Sequence, residues 1–349
     1  MRRRHLLSLL PIFGLAVTAP AALTSAALAQ GQELNLYSSR HYDTDRELYD
    51  TFTRETGIRV RLIEGDADQL IQRIRTEGAN SPADVLITVD AARLARAKEA
   101  GILQPIRSQV LDSRIPANLR DAEGFWFGVS KRARVIMYDR EAGRPEGLNR
   151  FEDLADPRFR GQICVRSSSH PYNTSLTGSV LAANGPEATE AWARGVAANM
   201  ARPPQGGDRD QFRAIPSGQC KLAISNTYYL GNMMTSQRAE DRAMAERIGV
   251  IFPNQGEGDR GAHVNISGAG VVRTAPNAAA AQRFIEYLTS PRAQEIFAVG
   301  NMEYPVVADA PVHPVLAAFG EFREDQLNAG TYGANAAEAL RIMQRAGWR

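Results

Sequence analysis

Apolar positions change period several times along the first hundred residues. Leu34 to Tyr37 is a short apolar run, and Asp43 to Thr56 then places Leu48, Tyr49 and Phe52 on one helical face before Gly57. Ile58 to Ile63 alternates Ile, Val and Leu with Arg, as a half-buried strand does. Ala67 to Glu77 returns to helical spacing through Leu70, Ile71 and Ile74 and stops at Gly78. Asp84 to Val89 reads as a buried strand, and Asp90 is placed to cap a helix that ends at Gly101. This βαβαβα succession predicts a parallel sheet covered by helices.

The pattern changes near Gly124. Phe125 to Gly128 and Arg134 to Tyr138 read as two extended segments leaving the first unit. A second alternation follows: a strand at Gln162 to Arg166, helices at Tyr172 to Ala183 and Ala188 to Met200, a strand at Lys221 to Ser225, a helix from Thr227 and a strand at Gly249 to Phe252. Residues 254–261 are a Gly-rich polar loop, His263 to Val272 is extended, and helices cover Ala278 to Leu288 and Pro291 to Val299. Two α/β units joined by more than one strand predict two lobes, with a ligand cleft between them and a hinge that closes it.

The N-terminus places this chain outside the cytoplasm. Arg2-Arg3-Arg4, the mostly apolar stretch Leu6 to Val17 and the small-residue site Ala27-Leu28-Ala29 form an export signal over residues 1–29, cleaved after Ala29. Arg3-Arg4-His5-Leu6-Leu7 also fits a twin-arginine signal, so both that route and the general secretory route are open. The 41 basic and 39 acidic residues give a charge of +2, but without the leader arginines 38 basic residues face 39 acidic ones. Such a balance argues against binding a nucleic-acid backbone. After the leader no apolar run is long enough to span a membrane. Cys164 and Cys220 fit no metal-ligand spacing; an oxidising compartment favours a disulfide between them over two free thiols.

Three strand-to-helix turns concentrate the chemistry. They are Tyr37-Ser38-Ser39-Arg40-His41-Tyr42-Asp43, Arg166-Ser167-Ser168-Ser169-His170-Pro171-Tyr172-Asn173 and Ser225-Asn226-Thr227-Tyr228-Tyr229. All three should face one cleft. Phenols are neutral at physiological pH, but a hard trivalent cation offsets the cost of ionising them, and helix N-termini favour the anion. Tyr42, Tyr172, Tyr228 and Tyr229, with His41 as a neutral nitrogen donor, are therefore candidate metal ligands. The same residue types also serve as core aromatics or as stacking surfaces for an organic ligand. His170 and His263 read as structural. Arg132 reads either as part of a solvated charge run or as a balance for phenolate charge.

The sequence resembles the periplasmic ferric-ion-binding proteins of bacterial ABC importers, the Fut/Fbp type. The resemblance runs through Leu36 to Tyr42, Ser81 to Leu86, Ile163 to Ser168, Asn226-Thr227-Tyr228-Tyr229 and Gly261 to Gly270, and so covers nearly the whole mature chain. It implies a two-lobed type II periplasmic-binding-protein fold of α/β class. The expected division is 30–130 plus 263–305 for lobe 1 and 131–262 plus 306–349 for lobe 2. It implies Fe³⁺ as transported ligand, held by His41, Tyr42, Tyr172, Tyr228 and Tyr229 and delivered to an ABC permease in the inner membrane by a periplasmic monomer. One branch of the family uses a Glu just after the strand that follows Pro-Ala-Asp. Val89 occupies that position here, which points to the tyrosine-rich branch and lessens, without excluding, the role of a synergistic anion.

Two other readings compete. A binding protein of the same fold could take a polyamine, thiamine or a phosphonate. An exported hydrolase could pair a turn serine with His41 or His170, but neither G-x-S-x-G nor H-E-x-x-H occurs, and no enzymatic activity is expected.

Overall fold

The computed structural model describes residues 32–40 and 42–349, so the export signal and His41 lie outside the described residues. The first unit is β1 (Glu33–Ser38), α1 (Asp45–Thr56), β2 (Arg59–Glu64), α2 (Ala67–Glu77), β3 (Val85–Thr88), α3 (Ala91–Glu99), β4 (Leu103–Gln104) and α4 (Gln109–Arg114). A long strand follows, β5 (Phe127–Asp139). The second unit is β6 (Ile163–Cys164), α5 (Pro171–Ala198), α6 (Asp208–Arg213), β7 (Leu222–Asn226), α7 (Thr227–Met234), α8 (Ala239–Glu246) and β8 (Ile248–Ile251). The chain then runs through β9 (Val264–Val272), α9 (Ala278–Leu288), α10 (Pro291–Asn301), α11 (Pro314–Ala317), α12 (Ala329–Ala334) and α13 (Ala336–Arg345).

Local signals explain the helix bounds. Asp66 accepts from the backbone N–H of Asp68 and Gln69 and starts α2, which buries Leu70, Ile71 and Ile74. Asp90 accepts from Ala92 N–H at 2.8 Å and starts α3. Gly57 ends α1 with φ 74°, a left-handed conformation that costs glycine little. Gly185, at φ 76° just before Pro186, breaks α5 into two helical stretches, as the sequence pattern predicts.

The sheet order is β2-β1-β3-β9-β5-β7-β6, with β4 paired to β9 and β8 paired to β5. β1 is parallel to β2 and β3, but β9 runs antiparallel to β3, so the sheet is mixed where the repeating βα pattern predicts a parallel one. The physical reason is that β9 returns from the second unit and enters the first from the opposite direction.

The two extended segments expected around Gly128 and Arg134 are one continuous strand. Its first half pairs with β9 and its second half with β7 and β8. At its centre Lys131 exchanges two backbone hydrogen bonds of 2.8 Å with Tyr304, so a further segment crosses beside it. The Lys131-Arg132-Ala133-Arg134 run is not a solvated face: the side chains of Arg132 and Arg134 are 1% and 2% exposed. The strand expected over Gln162 to Arg166 shrinks to Ile163–Cys164, because the chain turns away at once toward α5.

Cys164 and Cys220 form a disulfide, with Cα atoms 5.9 Å apart, that holds the end of β6 to the approach of β7. Of the C-terminal helices, α13 packs on α5, while α12 lies against both α5 and α3 of the first unit. Trp348 packs against Trp192 and donates from its indole N–H to the Arg166 carbonyl at 3.0 Å. Tyr332 on α12 reaches the Val264 carbonyl at 2.8 Å and ties that helix to β9. Among the described residues no helix is long and apolar enough to cross a membrane.

Candidate functional site

The three strand-to-helix turns converge on one cleft of about 1120 Å³. Tyr42 comes from the turn after β1. Tyr172 lies in the first turn of α5, and Tyr228 and Tyr229 lie in the first turn of α7. The Tyr172 and Tyr228 hydroxyls are 3.4 Å apart. The Tyr42 ring meets the Tyr228 ring edge-on at 6.5 Å, and Tyr228 and Tyr229 overlap with centroids 4.0 Å apart. Four of the five residues expected to bind a metal are thus brought together; the fifth, His41, lies outside the described residues.

Buried charges position these phenols. Arg40 donates to both Asp45 oxygens at 2.7 and 2.9 Å and to Glu303 at 2.9 and 3.2 Å, which fixes its guanidinium 4.9 Å from the Tyr42 ring centroid. Arg132 donates to the Val89 carbonyl at 2.6 Å, to Ser267 Oγ at 3.2 Å and to the Tyr172 hydroxyl at 3.4 Å. On the other side, Asp208 is held between Arg134 at 2.9 Å and Arg166 at 3.1 Å. Burial would raise the Asp208 pKa, but the two arginines hold it below the usual range, so the carboxylate stays ionised.

The phenols themselves resist ionisation. Burial, then Tyr172 and Glu303, push Tyr42 up to about 12 against the pull of Arg132 and Arg40. Burial and the neighbouring tyrosines raise Tyr228 well above its ordinary value; Tyr229 is raised by burial, Tyr172 and Asp208. These three are neutral at physiological pH. Arg132 stays charged although burial opposes it, because Tyr172, Glu303, Tyr42 and Tyr228 favour the cation.

Other candidates fall into place. Val89 lines the cleft, whereas Asp90 turns its carboxylate to Ala92, Ser175 and Asn265. His170 lines the cleft and caps α5, accepting from the Tyr172 N–H at 3.2 Å. Burial and then Arg166 lower its pKa to about 3, so the ring is neutral. His263 is buried against Tyr332 and does not line the cleft. Among the described residues no group of three or more His, Cys, Asp or Glu could hold a metal. Exposed Asp43, Glu64 and Asp66 occupy one lip of the cleft, and Arg166 and Arg209 the other.

Sequence reasoning missed Arg40, Arg93, Arg166, Arg209 and Glu303. The first and third sat inside the turns singled out for their tyrosines and could have been found there. Glu303 carried no signal, because the fold brings it to the site from the segment after α10.

Residues 80–318, well over half the chain, match the family of bacterial extracellular solute-binding proteins. The chain belongs to that family. Iron uptake protein A1 of Synechocystis sp. is 52% identical over 330 residues, which cover 95% of this chain and 91% of that protein. A Trichodesmium protein solved in complex with iron and citrate is 53% identical, with a TM-score of 0.88 over 91% of this chain and all of that one. A ferric binding protein from Campylobacter jejuni is 40% identical, with a TM-score of 0.85 over 90% of this chain and 100% of its own. The fold of this solute-binding protein is accordingly the two-lobed type II periplasmic-binding-protein fold, and the cleft that gathers the four tyrosines lies between its lobes.

Proposed function

We propose that this protein captures ferric iron in its interlobe cleft through tyrosinates and delivers it to an ABC permease of the inner membrane. The observation that carries the reading is the convergence of Tyr42, Tyr172, Tyr228 and Tyr229 on one cleft above the buried cation Arg132. Oxygen donors suit a hard trivalent ion, and ionised phenols would neutralise it. Tyr228 and Tyr229 rank first as ligands, then Tyr172, then Tyr42, with His41 last. Relatives named for iron uptake and ferric binding support this reading.

The proposed lobes are 30–130 plus 263–305 and 131–262 plus 306–349, with β5 crossing from one to the other. The protein is proposed to act in the periplasm as a monomer, after export by the secretory or the twin-arginine route, and as a binding protein without catalytic activity. A bare ion fills little of an 1120 Å³ cleft, and Arg93, Arg166 and Arg209 line it. An anion accompanying the iron fits that lining.

The test is a visible absorption spectrum of the mature protein before and after addition of ferric citrate, with Tyr228→Phe/Tyr229→Phe as control. A tyrosinate-to-iron charge-transfer band at stoichiometric iron, lost in the double variant, is the expected result. No band with iron in excess would overturn the reading in favour of an organic or anionic solute.

A further inference from the structure

Behind the phenols of the second unit, Arg134, Asn173, Asp208 and Asn226 form a buried hydrogen-bonded group that does not line the cleft. Arg134 on β5 stands opposite Asn226 at the end of β7. Its Nη1 donates to Asn226 Oδ1 at 3.0 Å and to Asp208 Oδ2 at 2.9 Å, and its Nη2 donates to Asn173 Oδ1 at 2.7 Å. Asp208 also accepts from the Asn226 backbone N–H at 3.0 Å. Asn173 donates from its amide nitrogen to the Arg166 and Ser167 carbonyls at 2.9 and 3.1 Å, which leaves its oxygen directed to Arg134.

What stands next to these residues gives the group its consequence. Asn173 follows Tyr172 in the first turn of α5, and Asn226 is the last residue before α7, two positions ahead of Tyr228. One planar guanidinium therefore spans the starts of both helices, and its rigid fork leaves little play between them. The pairing of β6 with β7 ends at Cys164 and Ala223, short of both turns, so that ladder does not set the spacing of the phenols. Asp208 supplies the charge opposite Arg134, whereas the two asparagines are neutral and serve as spacers. Changing an asparagine thus alters geometry and leaves both charges in place.

We infer that Arg134 is a positioning residue that fixes the separation of Tyr172 from Tyr228, so that the second unit presents its phenols to iron already spaced. The inference rests on the ferric reading above. An ion shared by two oxygens depends on the distance between them, and a spacing set beforehand spares the cost of ordering the ligands on binding. Loss of a tie widens the range of spacings, so affinity falls.

The test is a set of double-variant cycles on ferric affinity, measured by competition titration with citrate and read at the charge-transfer band. Asn173→Ala is made in the unsubstituted protein, in Tyr42→Phe and in Tyr172→Phe. It is expected to weaken binding about tenfold in the first two, because Tyr42 comes from the other wall and the tie still spaces Tyr172 from Tyr228. In Tyr172→Phe it should cost no more than about twofold, since the phenol it positions is no longer a ligand. A merely structural asparagine would cost the same in all three backgrounds. Equal costs, or no cost in the unsubstituted protein, overturn the inference. Arg134→Lys keeps the charge beside Asp208 but lacks the fork that spans both asparagines. It is carried through the same three backgrounds with the same expectation, and it decides the question if Asn173→Ala does not fold. Absence of the band in the unsubstituted protein would sink the ferric reading itself, whereas a band with equal costs would sink only the role of Arg134.

Discussion

The hydroxyls of Tyr172 and Tyr228 stand 3.4 Å apart although the two residues are 56 positions apart in the chain. The sheet brings them together. β6 and β7 are parallel neighbours, so both end at the same edge, and the helices that follow them start side by side. Each phenol therefore sits in the first turn of its own helix, at the positive end of the helix dipole, which favours an anion. At this distance one hydroxyl can donate to the other, whereas two phenolates would repel each other unless a cation lay between them.

Removing one of this pair should therefore cost more than removing Tyr42. Tyr172 and Tyr228 belong to the second unit, so on the proposed function they would take iron before the cleft closes and Tyr42 would complete the site from the other wall. Tyr172→Phe is expected to weaken ferric binding about a hundredfold, and Tyr42→Phe by less but with faster release. Competition titrations with citrate, read at the charge-transfer band, measure both. Equal losses would argue against an order in which the second unit binds first.

Affinity for iron should fall as pH falls. The pKa values of Tyr42, Tyr228 and Tyr229 are all raised, Tyr42 to about 12, so each phenol is protonated below that range and must lose its proton to become a ligand. Protons then compete with the metal throughout the physiological range, and binding strengthens with rising pH until the phenols of the free protein begin to ionise. Release to a fixed concentration of citrate should be markedly more complete at pH 5.5 than at pH 7.5, by more than tenfold in the binding constant if at least one proton is displaced. A pH-independent constant would exclude phenolate ligation.

Much of the site was legible because it is built from local sequence. Tyr42, Tyr172, Tyr228 and Tyr229 all lie where an apolar strand gives way to a capped helix, and such junctions can be read from periodicity. The bounds of α2 and α9 follow in the same way from Ala67 to Glu77 and Ala278 to Leu288. What stayed hidden depends on long-range pairing. The antiparallel insertion of β9 leaves no mark in its own residues, since His263 to Val272 reads as extended whichever way it runs. The sequence suits Arg132 equally to water, because only the pairing of β5 with β9 and β7 buries it. Glu303 could not be recognised, because a single glutamate after a helix resembles a surface residue unless its partners, Arg40 and Arg132, are known.

Arg132 offers a test of that burial. Its cation faces Tyr172 at 3.4 Å, and Arg132 and Glu303 lie 3.7 Å apart. Arg132→Gln keeps a donor for the Val89 carbonyl but removes the charge. Ferric affinity should drop by about ten- to a hundredfold, as for partners that tune a metal ligand without touching the metal. The charge-transfer band should persist with its maximum shifted, because the tyrosine ligands remain. An unchanged affinity would mean that Arg132 serves the packing of β5 alone.

The disulfide makes a separate prediction, about stability rather than binding. Cys164 and Cys220 are 56 positions apart, and the loop they close includes all of α5 and α6 and carries Tyr172, but the bridge itself lies within the core of the second unit. Closing a loop of that length restricts the unfolded chain by about 4 kcal/mol on the chain-entropy account. Cys164→Ser/Cys220→Ser should lower the denaturant midpoint in proportion, with the slope of the transition little changed. Iron binding by the folded fraction should stay near that of the unsubstituted protein, because β6 and β7 remain hydrogen-bonded and still deliver Tyr172 and Tyr228 to the same edge. If binding falls while the fold persists, the bridge sets the spacing of the two tyrosines and is part of the site.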